Sequence, residues 1–99
     1  MVQVNWSVRA KRSLRDIYDY IADDNPAAAD RVIRGILKKS QMLGQLPYIG
    51  QACRIEGFEH LRILVHGHYK IFYEVEESQI TIAGVFHGRM DVKRHLRGE

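Results

Sequence analysis

Eleven residues near the carboxyl end, Phe86 to Leu96 (FHGRMDVKRHL), hold two histidines, three basic residues, Asp91 and Met90. Metal-free cleavage of RNA needs a base for the 2′-hydroxyl, an acid for the leaving oxygen and cations on the phosphate. Lys70, His87 and Arg89 are the candidate catalytic set for that chemistry, with Lys93 and Arg94 beside them. Arg62 is a weaker member, because its register places it on the other face of its strand. No aromatic stands beside the tail to stack a base: the last tyrosine is Tyr73, and no aromatic follows Phe86. The same cations suit a protein target equally well, with His87, Arg89, Met90, Lys93 and Arg94 as the docking set.

Other chemistries find less support. Of the five histidines, only His66 and His68 lie close in sequence, and they straddle a predicted turn, so no metal site is expected. Ser13, Ser40 and Ser78 lack the glycines of a nucleophile elbow, and Gly57 and Gly67 are isolated rather than part of a phosphate loop. No cofactor is implied. Cys53 is the one cysteine, which excludes an internal disulfide and suits a reducing compartment.

These side chains must be positioned by a small scaffold. Ninety-nine residues, 45% hydrophobic and 27% charged, predict one globular domain spanning 1–99. A net charge of +3 permits contact with nucleic acid but does not argue for sequence-specific binding. The chain begins without a signal-peptide pattern, and no apolar run approaches the ~20 residues of a membrane span. A soluble, cytoplasmic protein is expected.

Val2, Val4 and Trp6 alternate with polar residues and predict a short strand. Ser7 stands at an N-cap, and Ala10, Leu14, Ile17 and Ile21 form one apolar helical stripe. Asn25 and Pro26 cap and open a second helix, with Ala29, Val32, Ile33, Ile36, Leu37 and Leu43 inward. Residues 7–44 therefore read as a helical hairpin. From Leu61 the period becomes two, giving strands Leu61–His66, Tyr69–Glu76 and Gln79–His87 joined by two-residue turns. Uninterrupted alternation puts Leu64, Ile71, Tyr73, Val75, Ile80, Ile82 and Phe86 against the helices. It puts Lys70, Phe72, Glu74, Thr81, Ala83, Val85 and His87 on an open groove. Met90 to Arg97 carries too little apolar content for core and is expected to be a short helix or arm. The order is β-α-α-β-β-β, an α+β fold with the helical hairpin packed on an antiparallel sheet.

Charge on the hairpin is patterned. The first helix starts with Arg9, Lys11, Arg12 and Arg15 and ends with Asp16, Asp19, Asp23 and Asp24, against its macrodipole. Arg31, Arg34 and Lys38 form a basic strip on the second.

The stretches YDYIADDNPAAADRVI, LPYIGQACRI, GHYKIFYEV and VFHGRMDVKRHL resemble the RelE/ParE superfamily of bacterial type II toxins. The 47–50 loop and the 87–91 segment are more similar to the ParE branch. The resemblance implies a toxin that inhibits DNA gyrase by protein binding and is neutralised by a ParD-like antitoxin in a hetero-oligomer. The RelE branch implies instead a ribosome-dependent mRNA endonuclease. Lys70 stands where that branch places a sheet arginine, but its C-terminal tyrosine is absent here. The antitoxin is expected as an amphipathic peptide along a sheet edge and across the hairpin, meeting Tyr18, Tyr20, Arg31, Arg34 and Lys38.

Overall fold

The computed structural model describes residues 2–88 and 90–98. Strand β1 (Gln3–Trp6) leads into α1 (Val8–Ala22) and α2 (Pro26–Gln41), which a single 3₁₀ turn, Met42–Gly44, ends. Short β2 (Gln51–Ala52), then β3 (Leu61–His66), β4 (Tyr69–Val75), β5 (Gln79–His87) and a one-turn α3 (Val92–Leu96) complete the order.

Local chemistry sets the helix starts as expected. The Ser7 hydroxyl accepts from the Ala10 amide at 3.0 Å, and the Asn25 carboxamide accepts from Ala28 at 3.1 Å with Pro26 in the first turn. Each satisfies a first-turn N–H that has no partner within the helix. The β3–β4 turn pairs His66 with Tyr69, and Gly67 takes φ +59°. No described non-glycine residue has positive φ, so His68 does not, which fits a type II′ turn. The β4–β5 turn is pinned by Glu76, whose carboxylate accepts from the Thr81 hydroxyl (2.5 Å) and the Gln79 amide (3.0 Å). Those two bonds, Thr81 first, hold the Glu76 carboxyl below its ordinary range.

The sheet is mixed rather than purely antiparallel, in the order β1-β5-β4-β3-β2. β1 lies parallel to β5, Gln3 beside Gln79 and Trp6 beside Ile82, and β2 adds a two-residue edge to β3. Alternation marks a strand but says nothing of its direction or neighbour.

A second correction concerns the faces. Between Phe72 and Tyr73 the register with β5 shifts: Tyr73 faces Ile82 but Phe72 faces Gly84, so Ala83 is an extra residue in a bulge. Side-chain parity inverts there. Ile80 and Ile82 point to the helices before the bulge, and Val85 does so after it. Phe86, expected against the helices, lies on the opposite face. That face is not an open groove either: Cys53, Leu61, Phe72, Phe86 and Leu96 form a second cluster there, with Phe58 and Val92 at its border. The C-terminal segment, read as lacking core residues, contributes Leu96 at 5% exposure. Leu37, expected inward, is 38% exposed.

The main core lies between the helical hairpin and the sheet, where Ala10, Ile36 and Leu43 meet Leu64, Ile71, Tyr73, Ile80, Ile82 and Val85. The first of these helix residues, Ala10, belongs to the predicted stripe, and Leu14 and Ile17 pack beside it. Among the described residues no helix is long and apolar enough to cross a membrane.

Candidate functional site: the C-terminal end of β5 and its clefts

Past Ile82, β1 has ended and the outer edge of β5 would lie bare. Ser7, the N-cap of α1, and Ser13 within that helix occupy it instead. The Ser7 amide donates to the Ile82 carbonyl (3.0 Å) and its hydroxyl to Ala83 (3.4 Å). The Ser13 hydroxyl donates to Ala10 (2.8 Å) and accepts from the Val85 amide (3.0 Å). α1 is thereby fixed alongside the strand that carries His87.

His87 ends β5 opposite Tyr69, whose ring it meets edge-on at 5.4 Å, and it stacks on His68 at 6.0 Å. Burial, and after it the neighbouring Tyr20, raises the Tyr69 phenol above its ordinary pKa. Beyond β5 the chain turns back on itself: the Met90 amide donates to the His87 carbonyl (2.9 Å), and the His87 amide points at the Met90 sulfur (3.4 Å). Asp91 then caps α3, accepting from the Arg94 amide at 3.2 Å. α3 is anchored by Leu96 beneath, by His95 stacked on Phe86 at 5.5 Å, and by Arg9, which donates to the Leu96 carbonyl at 2.8 Å. That last bond gives one of the basic residues at the start of α1 a structural task, since a cation suits the last carbonyls of a helix. Lys93 and Arg94 stay exposed on α3. Arg89 lies outside the described residues.

Lys70 and His87, placed together by uninterrupted alternation, stand on opposite faces. Tyr69 and His87 share the helix-facing side, whereas Lys70 pairs with Phe86 and Val65 on the other. The two reach a notch of about 180 Å³ at the end of the sheet from its two sides. Arg62 is committed elsewhere: it donates to the Tyr48 and Gly50 carbonyls (3.2 and 2.6 Å) and lies over the Tyr48 ring. His66 rests against α2 at Gly35 while His68 stacks on His87, so the two imidazoles engage different neighbours.

Two larger clefts flank α1. One, of about 600 Å³, runs between α1, the end of β5 and α3, and its wall includes Asp16, Tyr20, Tyr69, Phe86, His87 and His95. Aromatic rings do therefore stand beside the tail. They come from α1 and β4, distant in sequence, which is why inspection of the tail alone missed them. The other cleft, of about 590 Å³, lies between β1, α1 and α2 and is lined by Val4, Trp6, Lys11, Leu14 and Leu37. The outward turn of Leu37 is explained there, as part of a groove rather than of the core.

Of the residues expected on the hairpin, Arg31, Arg34 and Lys38 are all exposed at spacings of three and four, on one face of α2. Tyr18 and Tyr20 are exposed too, but two positions apart on a helix they diverge by roughly 200°. Only Tyr20 borders the aromatic cleft.

This architecture, two helices packed on a five-stranded mixed sheet, is that of solved toxin structures. The chromosomal ParDE system of P. aeruginosa superposes with a TM-score of 0.76 at 21% identity, over 88% of this chain and 96% of that one. The RelBE2 toxin–antitoxin complex of Mycobacterium tuberculosis gives 0.68 at 18%, over 87% and 96%. In sequence, "Putative toxin Y4kP" of Sinorhizobium fredii (strain NBRC 101917 / NGR234) is 33% identical over 85 residues, 86% of either chain. The family described as the ParE toxin of the type II toxin–antitoxin system parDE matches residues 4–92. The chain belongs to this family and is a toxin of the type II class.

Proposed function

We propose that the chain, acting as a single toxin domain in the cytoplasm, inhibits DNA gyrase by protein–protein binding and is neutralised by a ParD-like antitoxin. The target-binding surface is the segment His87, Arg89, Met90, Lys93 and Arg94. The observation that carries this reading is the inverted parity of β5. It sets Lys70 and His87 on opposite faces of the sheet, so that they approach one another only at the notch beyond its end. Meanwhile α3 is docked firmly enough to present Lys93 and Arg94 from an ordered helix.

The antitoxin reading rests on three adjoining features. The outer edge of β1 is open to an added strand. The groove of Val4, Trp6, Leu14 and Leu37 beside it accepts apolar anchors. The exposed strip Arg31, Arg34 and Lys38 offers positive charge to an acidic peptide. Both solved relatives are toxins of toxin–antitoxin systems, which supports a hetero-oligomer here.

Purified toxin titrated into a gyrase supercoiling reaction should block supercoiling and accumulate cleaved DNA. Lys93→Ala with Arg94→Ala should weaken that block, and antitoxin should relieve it. Undiminished supercoiling at large toxin excess rejects the reading. Cut messenger RNA in arrested cells, lost in Lys70→Ala, would establish the ribosome-dependent endonuclease instead.

A further inference from the structure

The cleft between α1, the end of β5 and α3 adjoins that surface, because His87 and Met90 belong both to its wall and to the target-binding segment. We infer that this cleft receives an arginine side chain carried on a peptide segment of a partner protein. Its guanidinium pairs with the Asp16 carboxylate and stacks on the tyrosine rings beside it. The inference names the side chain received and holds whichever protein carries it, so it stands independently of the gyrase reading.

Charge selects the occupant. Among the described residues on the cleft wall, Asp16 is the one with a formal charge. Arg12 stands one helical turn before it but not on that wall. Among the described residues no hydrogen bond or ion pair holds the Asp16 carboxylate. An ionised carboxylate is acceptor-only, so it repels a phosphate or a partner's own acid. A neutral occupant would cover it without supplying a donor and would leave a charged acceptor unmet. A cation satisfies both conditions.

The rings choose among cations. Burial, and then the nearby Tyr20, raises the Tyr69 phenol, so the two tyrosines stand close together and Tyr69 stays neutral. Tyr20 is 85% exposed, which leaves its ring open to a partner. Phe86 is not available in the same way, since it is 4% exposed and packs in the second cluster beneath His95. A guanidinium is planar, stacks on aromatic faces and presents a rigid fork of donors to a carboxylate. An ammonium is a compact, strongly hydrated point charge that uses such flat surfaces less well. Arginine is therefore favoured over lysine. The volume of about 600 Å³ also leaves room for residues flanking the arginine, and Met90, 38% exposed at the wall, gives them an apolar contact.

The test is amide NMR titration of the full chain with a capped alanyl-arginyl-alanine tripeptide and its lysine and citrulline counterparts. Citrulline keeps the length and flatness of arginine without its charge. The arginine peptide should bind saturably, shifting the amides of Asp16, Tyr20 and Tyr69. It should bind about tenfold more tightly than the citrulline peptide and about threefold more tightly than the lysine peptide. Asp16→Asn should abolish the margin over citrulline, and Tyr20→Ala should weaken the arginine peptide about threefold. Both positions are exposed, so neither variant threatens folding. Equal binding of the citrulline peptide, a lysine peptide bound as tightly, or absence of saturation overturns the inference. A margin over citrulline that survives Asp16→Asn, or GMP bound more tightly than the arginine peptide, overturns it too.

Discussion

The Ser13 hydroxyl serves two backbone groups at once, accepting from Val85 while donating to Ala10. Its removal leaves the Val85 amide on the uncovered edge of β5 with no partner. Ser13→Ala should therefore cost about 1–3 kcal/mol, although it deletes only one oxygen. Urea unfolding should show a lower midpoint with an unchanged slope. Tyr69 makes a different kind of prediction. Burial raises its pKa, so the fold favours the neutral phenol. The associated stability is present below the ordinary tyrosine value and is lost as pH rises through the higher folded one. Thermal midpoints measured across the alkaline range should fall less steeply for Tyr69→Phe than for the parent chain. The covering of the β5 edge by Ser7 and Ser13 was not legible beforehand. A cap is a matter of neighbours in sequence, and Ser7 was readable as one; a bond from Ser13 to Val85, 72 positions away, is not.

At the level of elements, α3 acts as a lid over the second cluster. Leu96, 5% exposed against Phe72 and Phe86, fixes it, and Leu96→Ala should destabilise the fold by about 2–5 kcal/mol. Near-ultraviolet circular dichroism should register loosened packing around the phenylalanines. The helices were readable because caps and apolar stripes are local properties, and the hairpin register because two-residue turns dictate it. β5 was misread past Ile82 since one inserted residue reverses every later side chain. A trace of it was present: Gly84 interrupts the strand, the usual mark of a bulge, and the apolar series passes from Ile80 and Ile82 to Val85. The consequence for function is large, because that parity alone decides whether His87 stands with Lys70 or with Tyr69. Leu96 escaped notice for a simpler reason. A five-residue helix is too short to display a periodic stripe, so its one buried residue reads as an isolated leucine.

For the whole molecule, positive charge on α2 and positive charge on α3 lie on separate elements and should be separable in experiment. Charge reversal at Arg31, Arg34 and Lys38 should weaken antitoxin binding and flatten its dependence on salt, leaving gyrase inhibition in place. Binding measured from low to high ionic strength checks the first half, and the supercoiling reaction checks the second. Segments far apart in the sequence are also joined. Gln3–Trp6 lies beside Gln79–Ile82, and Arg9 holds the carbonyl of Leu96. During synthesis the first strand emerges long before its partner, since Gln3 pairs with Gln79 far along the chain. A chain that stops short of β5 can form its helices yet cannot close its sheet, so the shape, with whatever harm it does, waits on the synthesis of that strand.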